Sequence, residues 1–506
     1  MVLFVLDYVE GALRESGQPP YGQGKPPRAD RLRRKPFNVG ALDPVTNSQG
    51  AHLPVNDSAL EHKLRARSAR IVVIGLGYAG LPMAVEFVRA GFVTTGLDVD
   101  ASKVEAICSG RSPVSNVTDA EVASLRSGER LSASTDPAVL DTADVAVICV
   151  PTPLTPTGGP DLRFVQKAGA ALSEHLHPDM LVVLQSTCGP GTTSNTLQPL
   201  LEEASGLRAG DDFYLVFAPE RIDPGNTRYT VRNTPKIVGG SDPESTRLGC
   251  ILYAACIDEV VPVSSPEIAE LAKLVENTFR FINISFINEM ALLCDRLGVN
   301  VWEVIEAAKT KPFAFMPHYP SPGVGGHCIP VVPQYLQAAA HDHGLPSELI
   351  PAANRINATM PKLVVDKLER ALEEHGKRLV DASVLLVGVT YKPDIADIRE
   401  SAAIRVLEET LSRGARVAYH DPLIPTLTLA GGTVASVDLE PSEVGRLDAV
   451  VLLTPHSSID YARVIRAARL VIDTHSGLQP REAPNVVNIW VPAAPAAVGL
   501  QASAVR

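Results

Sequence analysis

Four groups of residues in this chain have the types and spacing to meet a ligand chemically. The stretch GVGGHCIPVVPQ, residues 323–334, sets Cys328 in a loop of small residues, where a ligand can approach the backbone beside a thiol. Lys273, Asn277 and Arg280 recur at i, i+4 and i+7, which puts two cations and an amide on one helix face. By spacing alone such a stripe reads as a solvated polar face. Gly75, Gly77 and Gly80 form G-x-G-x-x-G together with Leu76, Tyr78 and Ala79, a spacing that lets backbone N–H groups meet a pyrophosphate. Lys392, Asp397, Arg399 and Ser401 form a polar loop able to hold the phosphate or sugar of a second ligand.

The elements around these residues give them a setting. An apolar strand over 71–74 runs into the glycine loop, a helix follows, and a second strand over 93–97 ends at Asp98. Gly75 makes the turn, Gly77 admits the pyrophosphate, and Gly80 lets helix and sheet pack closely. Asp98 is placed to bind ribose hydroxyls and would repel a 2′-phosphate, so NAD is expected rather than NADP. Tyr78, Ala79 and Lys103 flank the same site. The apolar runs 144–153 and 180–193 read as buried parallel strands, whose carboxyl ends bring Thr152, Ser186 and Thr187 toward the cofactor. A long helix is expected over 264–299, capped by Ser265 with Pro266 in its first turn, about 50 Å in length. From residue 377 a second alternation of strands and helices begins. Its first strand leads to Gly388-Val-Thr-Tyr-Lys392 without the second and third glycines, so no second dinucleotide is expected there.

The fold class expected is α/β: two Rossmann-like, doubly wound parallel-sheet domains joined by a long central helix. The expected boundaries are a disordered extension over 1–66, a nucleotide-binding domain over 67–264, a central helical domain over 265–376, a second α/β domain over 377–491 and a disordered tail over 492–506. A net charge of −11 with no basic stripe argues against nucleic acid. No run approaches a membrane span, and the seven scattered cysteines have no zinc-like spacing, so a cytoplasmic protein without a metal is expected. Five of those thiols read as small buried hydrophobes. Cys188 and Cys328 differ because each adjoins a glycine-rich loop.

In order along the chain, GLGYAGLP, VPTP, QSTCGPGTT, FAPERIDPG, ELAKLVENTFRFINISFINE, GVGGHCIP and VTYKPDIADIRES resemble the UDP-glucose/GDP-mannose dehydrogenase family over residues 68–490. The resemblance implies an NAD-dependent enzyme that oxidises C6 of a nucleotide sugar to the acid, passing four electrons to two NAD. The segment KPFAFMPHYPSPGVGGHCIP is similar to the branch acting on UDP-N-acetylglucosamine and UDP-N-acetylmannosamine. By resemblance Cys328 is the nucleophile that holds the aldehyde as a thiohemiacetal and then a thioester. Lys273 and Asn277 stabilise oxyanions, Glu220 is the base for thioester hydrolysis, and Thr187 holds a water. Arg221, Arg280, Tyr319 and the backbone at Gly325 and Gly326 line the sugar pocket, while Lys392 and Arg399 bring the C-terminal domain onto UDP. The resemblance also implies a homodimer built on the long helix.

Three positions depart from the family pattern. Val332 stands where members carry an aspartate four residues after the nucleophile, and valine neither accepts a proton nor hydrogen-bonds. Gln185 replaces a glutamate frequent in this branch, and His475 replaces the arginine of a DTR motif. Three readings stay open: a working UDP-N-acetylhexosamine dehydrogenase, a dehydrogenase of UDP-glucose or another nucleotide sugar with altered or incomplete oxidation, and an impaired homologue that binds nucleotide sugars.

Overall fold

The computed structural model describes residues 58–475, apart from 157, 224 and 227, together with 483–491 and the strand Val45–Thr46. Among these residues the first sheet has nine strands. They are β1 (Val45–Thr46), β2 (Arg70–Ile74), β3 (Val93–Leu97), β4 (Leu131–Ser134), β5 (Val145–Ile148), β6 (Leu181–Leu184), β7 (Tyr214–Phe217), β8 (Lys236–Gly240) and β9 (Glu259–Val263). The spatial order is 1-9-8-7-6-5-2-3-4. From β4 to β7 every neighbouring pair is parallel, with Val73 of β2 facing Gly96 on one side and Val147 on the other. Strands β5 and β6 are buried along their whole length, as their unbroken apolar sequences require of strands covered on both faces. The order in which strands are added reverses between β2 and β5. That leaves a crevice at the carboxyl ends of the strands, where doubly wound sheets bind ligands.

The helices that position the site are α1 (Ala59–Arg65), α2 (Gly80–Arg89), α3 (Pro243–Ala254), α4 (Pro266–Leu297), α5 (Val301–Lys309), α6 (Val332–Asp342), α7 (Leu349–Glu374) and α8 (Ala402–Ser412). The long helix α4 starts after Ser265 with Pro266 in its first turn and ends at Gly298, which takes the left-handed conformation (φ 68°). Helices α6 and α7 pack along it. A second sheet follows, formed by β10 (Ser383–Val387), β11 (Arg416–His420), β14 (Ala449–Leu452), β15 (Val471–Asp473) and β16 (Val486–Asn488), with β12 (Thr426–Leu429) and β13 (Gly432–Ala435) as a separate hairpin. Its order is 11-10-14-15-16 and all its pairs are parallel. Buried apolar clusters lie on both faces of each sheet, so the doubly wound α/β class holds.

The expected disordered extension is corrected where the structure describes it. Ser58 caps α1, and Leu60 and Leu64, one turn apart, join the core beneath α3. The buried carboxylate of Glu61 pairs with Arg247 of α3 at 2.8 Å. A short apolar i, i+4 pair was too little periodicity to mark seven residues as a helix, and its partner lies nearly two hundred residues away. Residues 1–44, 47–57 and the tail 492–506 fall outside the described residues.

In the second sheet a side chain covers the corresponding aspartate. Asp421 accepts from the N–H of Val389 (2.7 Å) just as Asp98 accepts from Leu76 (2.7 Å) in the first sheet. His456, fully buried, lies against Asp421 and Thr390 at 3.1 Å each. Its imidazole takes up the hydrogen-bonding capacity that a ribose would need.

Candidate active site

The glycine loop is shaped for a dinucleotide. Gly75 has φ +97°, and a Cβ there would stand 2.6 Å from the carbonyl oxygen of Cys149. A Cβ on Gly80 would stand 1.8 Å from the carbonyl oxygen of Gly75, so helix and loop could not come together. Above Gly77 no atom lies within 4 Å of the Cβ position, which leaves the room a pyrophosphate needs in front of the α2 N-terminus. Asp98, buried at the end of β3, accepts from Leu76 and from the N–H of Asp100 (2.9 Å), and Lys103 donates to it at 3.1 Å. These contacts fix the carboxylate at the edge of a cleft. Ser186 ties the loops after β5 and β6 together by donating to the carbonyl of Val150 at 2.9 Å.

A cleft of ≈540 Å³ runs from this loop, past α4, to the second sheet. It brings together Gly75, Gly77, Tyr78, Ala79, Asp98, Lys103, Thr152, Ser186 and Thr187 with Glu220, Arg221, Lys273, Asn277, Arg280, Gly325, Gly326, Cys328, Lys392 and Arg399. The face of α4 carrying Lys273 and Asn277 is therefore not a solvated stripe. Lys273 is buried without a hydrogen-bond or ion-pair partner among the described residues. The amide nitrogen of Asn277 is buried and unpaired. Two donors thus point toward the cleft with nothing of the protein to satisfy them.

Cys328 is exposed in the cleft, on a loop seated against the second sheet. Gly326 donates to the carbonyl of Arg399 at 3.0 Å, and its φ of +84° brings the backbone so close that a Cβ would meet the Tyr391 ring at 2.7 Å. Burial, with Arg399 nearby, pushes the neighbouring His327 below its ordinary pKa. Glu220 is held by Gln185, Lys236 and the N–H groups of Arg221 and Ile222. Arg221 faces the cleft, but its guanidinium forks onto Glu276 (2.6 and 3.1 Å) and reaches the carbonyl of Pro235. Lys392 crosses to Asp223 at 2.7 Å. Arg399 is clamped by Asp397 and lies 5.9 Å above the ring of Tyr78 in the glycine loop.

Cys108, read as a small buried hydrophobe, is exposed, and two expectations nearer the site also come out differently. Tyr319 is not among the cleft residues: its ring stacks on Trp302 of α5 at 5.3 Å and its hydroxyl donates to Glu306. Cys188, although beside a glycine loop, is buried against Glu270, and desolvation together with that carboxylate drives its thiol pKa well up. Val332 packs with Leu274, Val331 and Tyr335 in an apolar cluster. Glu276, Asp223, Lys236, Tyr253 and Tyr335 also support the site, though none was singled out as a site residue. Asp223 alone carried a signal, inside ERIDPG; the rest become partners only through tertiary contact.

A dinucleotide crevice meeting an exposed thiol and two unpaired donors defines an NAD-dependent oxidoreductase of two α/β domains. Models of the UDP-glucose/GDP-mannose dehydrogenase family match in three segments: the NAD binding domain at 69–257, the central domain at 267–359 and the UDP binding domain at 385–480. The chain belongs to this family, and its cofactor is NAD. It is 34% identical to UDP-N-acetyl-D-glucosamine 6-dehydrogenase of Pseudomonas aeruginosa over 392 residues, 77% of this chain and 91% of that one. It is likewise 34% identical to UDP-N-acetyl-D-mannosamine dehydrogenase of Pyrococcus horikoshii, over 80% of this chain and 94% of that one. A solved structure of UDP-D-ManNAc dehydrogenase from Pyrococcus horikoshii superposes with a TM-score of 0.75 at 32% identity, covering 83% of this chain and 99% of that chain. A UDP-glucose dehydrogenase from Pyrobaculum islandicum gives a TM-score of 0.74 at 29% identity, covering 84% and 98%. No helix among the described residues is long and apolar enough to cross a membrane.

Proposed function

We propose that the protein oxidises C6 of a UDP-N-acetylhexosamine from alcohol to carboxylate. The observation that carries this reading is the meeting of Cys328, Lys273, Asn277, Glu220 and Thr187 in one cleft between the NAD loop and the UDP binding domain. Relatives named for UDP-N-acetylglucosamine and UDP-N-acetylmannosamine support the sugar class, and their equal identities leave the epimer to experiment. NAD, when bound at the glycine loop, would supply the hydride acceptor, and two NAD in turn would take the two hydrides of the four-electron oxidation. The chain does the rest. Thr187 holds the water that takes the hydroxyl proton. The sulfur of Cys328 adds to the aldehyde carbon, and Lys273 and Asn277 donate to the oxygen as it becomes negative. Loss of the second hydride turns the thiohemiacetal into a thioester. Glu220 draws a proton from water as the water oxygen bonds to the thioester carbon, the C–S bond breaks, and the acid leaves while the Cys328 thiolate takes the proton back. Lys392 and Arg399 hold the diphosphate of UDP; Lys392 leaves Asp223 to do so.

A second copy of the chain completes the assembly. Along α4, Ile268, Leu271, Val275, Phe279, Phe286 and Leu293 are all 40–51% exposed and face away from the Lys273 side. Their spacing of three, four and then seven residues keeps them on one side of the helix, an apolar stripe suited to packing against its own copy.

Val332 favours a second reading, in which no carboxylate restrains Lys273 and oxidation is incomplete or absent. NADH formed per sugar consumed separates the two, with UDP-N-acetylglucosamine, UDP-N-acetylmannosamine and UDP-glucose offered to the protein and to Val332→Asp. Two NADH per N-acetyl sugar from the unmodified protein is the expected result. Activity appearing only in Val332→Asp would sink the proposal.

A further inference from the structure

We infer that Gln185 is a positioning residue for Glu220, working with Tyr253 and Lys236 as one clamp. This rests on the reading of Glu220 as the base that releases the acid.

Gln185 follows β6 and is 1% exposed. Its amide nitrogen donates to Glu220 Oε2 at 3.0 Å, and its amide oxygen accepts from the hydroxyl of Tyr253 at 2.9 Å. The direction of this chain is forced. A carboxylate can only accept, so the amide must turn its nitrogen to Glu220 and its oxygen to Tyr253, which leaves the hydroxyl to donate. Tyr253 is itself fully buried on α3, so no water competes for the amide. Lys236, buried on β8, places its ammonium 3.4 Å from the same Oε2 and 5.0 Å above the Tyr253 ring. Oε1 accepts from the N–H of Arg221 (2.8 Å) and of Ile222 (3.0 Å).

Four donors thus occupy the approximately four lone-pair directions of an ionised carboxylate. Glu220 takes a proton from water only by giving up one of them, and the 3.4 Å contact with Lys236 is the longest of the four. Gln185 then keeps the carboxylate facing the cleft while Lys236 withdraws. Gln185 lines the cleft and Lys236 and Tyr253 do not; all three act through the Glu220 carboxylate, so their effect is confined to the release step.

The test uses the full chain with NAD and each UDP sugar, comparing Gln185→Leu and Tyr253→Phe with the unmodified protein. In Gln185→Leu the rapid burst of two NADH per active site and the kcat/KM for the sugar stay as they were, and KM falls in step with kcat. Its steady-state kcat falls by about 10²-fold, the lower end of what a general base contributes. Intact-protein mass then shows the acyl adduct on Cys328 accumulating. Tyr253→Phe shows the same signature more weakly. An unchanged kcat without adduct, or a burst that falls together with thermal stability, would overturn the inference. No NADH from the unmodified protein on any sugar is the separate failure of the proposed function. In that event the crystal structure of Gln185→Leu decides: a displaced Glu220 carboxylate is expected, and an unmoved one refutes the clamp.

Discussion

Asn277 presents a buried amide nitrogen that bonds to nothing in the protein, so its removal breaks no hydrogen bond of that nitrogen. Asn277→Ala is therefore expected to leave the denaturation midpoint where it is while lowering kcat/KM by about 10²–10³-fold, the usual loss for one oxyanion donor. Steady-state kinetics beside urea unfolding check both halves. A stability loss as large as the rate loss would make Asn277 a packing residue instead. Val332 is the opposite case. Its side chain is 1% exposed among Leu274, Val331 and Tyr335, where a carboxylate would lose its hydration. Val332→Asp should cost about 1–3 kcal/mol in urea unfolding, the range for an uncompensated buried polar group. No loss of stability would show that Lys273 reaches the new carboxylate and that the cluster tolerates it.

Helix α6 ties the thiol loop to the cofactor loop. The N–H of Val332 donates to the carbonyl of Cys328 at 3.1 Å, and one turn later Tyr335 donates its hydroxyl to the carbonyl of Thr152 at 2.5 Å. Leu154 from the same cofactor loop packs on that cluster. Tyr335→Phe leaves the Thr152 carbonyl buried without this donor, at a cost of about 1–3 kcal/mol. The expected readouts are a lower unfolding midpoint and a weaker Kd for NAD, both measurable without any sugar. An unchanged Kd would mean that the cofactor loop holds its place without α6. On α4, Glu270 has a comparable role, a turn before Lys273. Its buried carboxylate accepts from the N–H groups of Gly191 and Thr193 and from the Thr193 hydroxyl at 2.6 Å, and so fixes the turn after β6.

The assembled protein has two sheets that share a construction and differ in what faces their corresponding aspartates. Asp98 lines the open cleft, whereas Asp421 is covered by His456. The apolar stripe of α4 turns away from both. Phe279→Asp or Phe286→Asp puts a charge in the middle of that stripe and should convert the proposed dimer to monomer, as read by light scattering on size-exclusion chromatography. A protein already monomeric at micromolar concentration would remove the dimer from the proposal.

Local pattern alone was enough for the glycine loop, Asp98, the apolar strands and α4, because each is specified by neighbours along the chain: period, cap or strand–turn–helix order. Cys328 stood out for the same reason, as a thiol among glycines. The helical segment α1 was missed because its stability comes from α3 and from the Glu61–Arg247 pair, not from its own seven residues. Spacing placed Lys273 and Asn277 on one face but could not say which way the face looked; packing of α6 and α7 along α4 settles that it looks into the cleft. Tyr319 was drawn to the sugar pocket by resemblance, and its stacking on Trp302 holds it elsewhere. Gln185 follows β6, while Lys236 and Tyr253 lie on β8 and α3, so their convergence on Glu220 had no expression in linear spacing. Hydrogen bonds within an element follow from chain neighbours, whereas the orientation of a carboxylate depends on donors that folding alone brings within 3.4 Å.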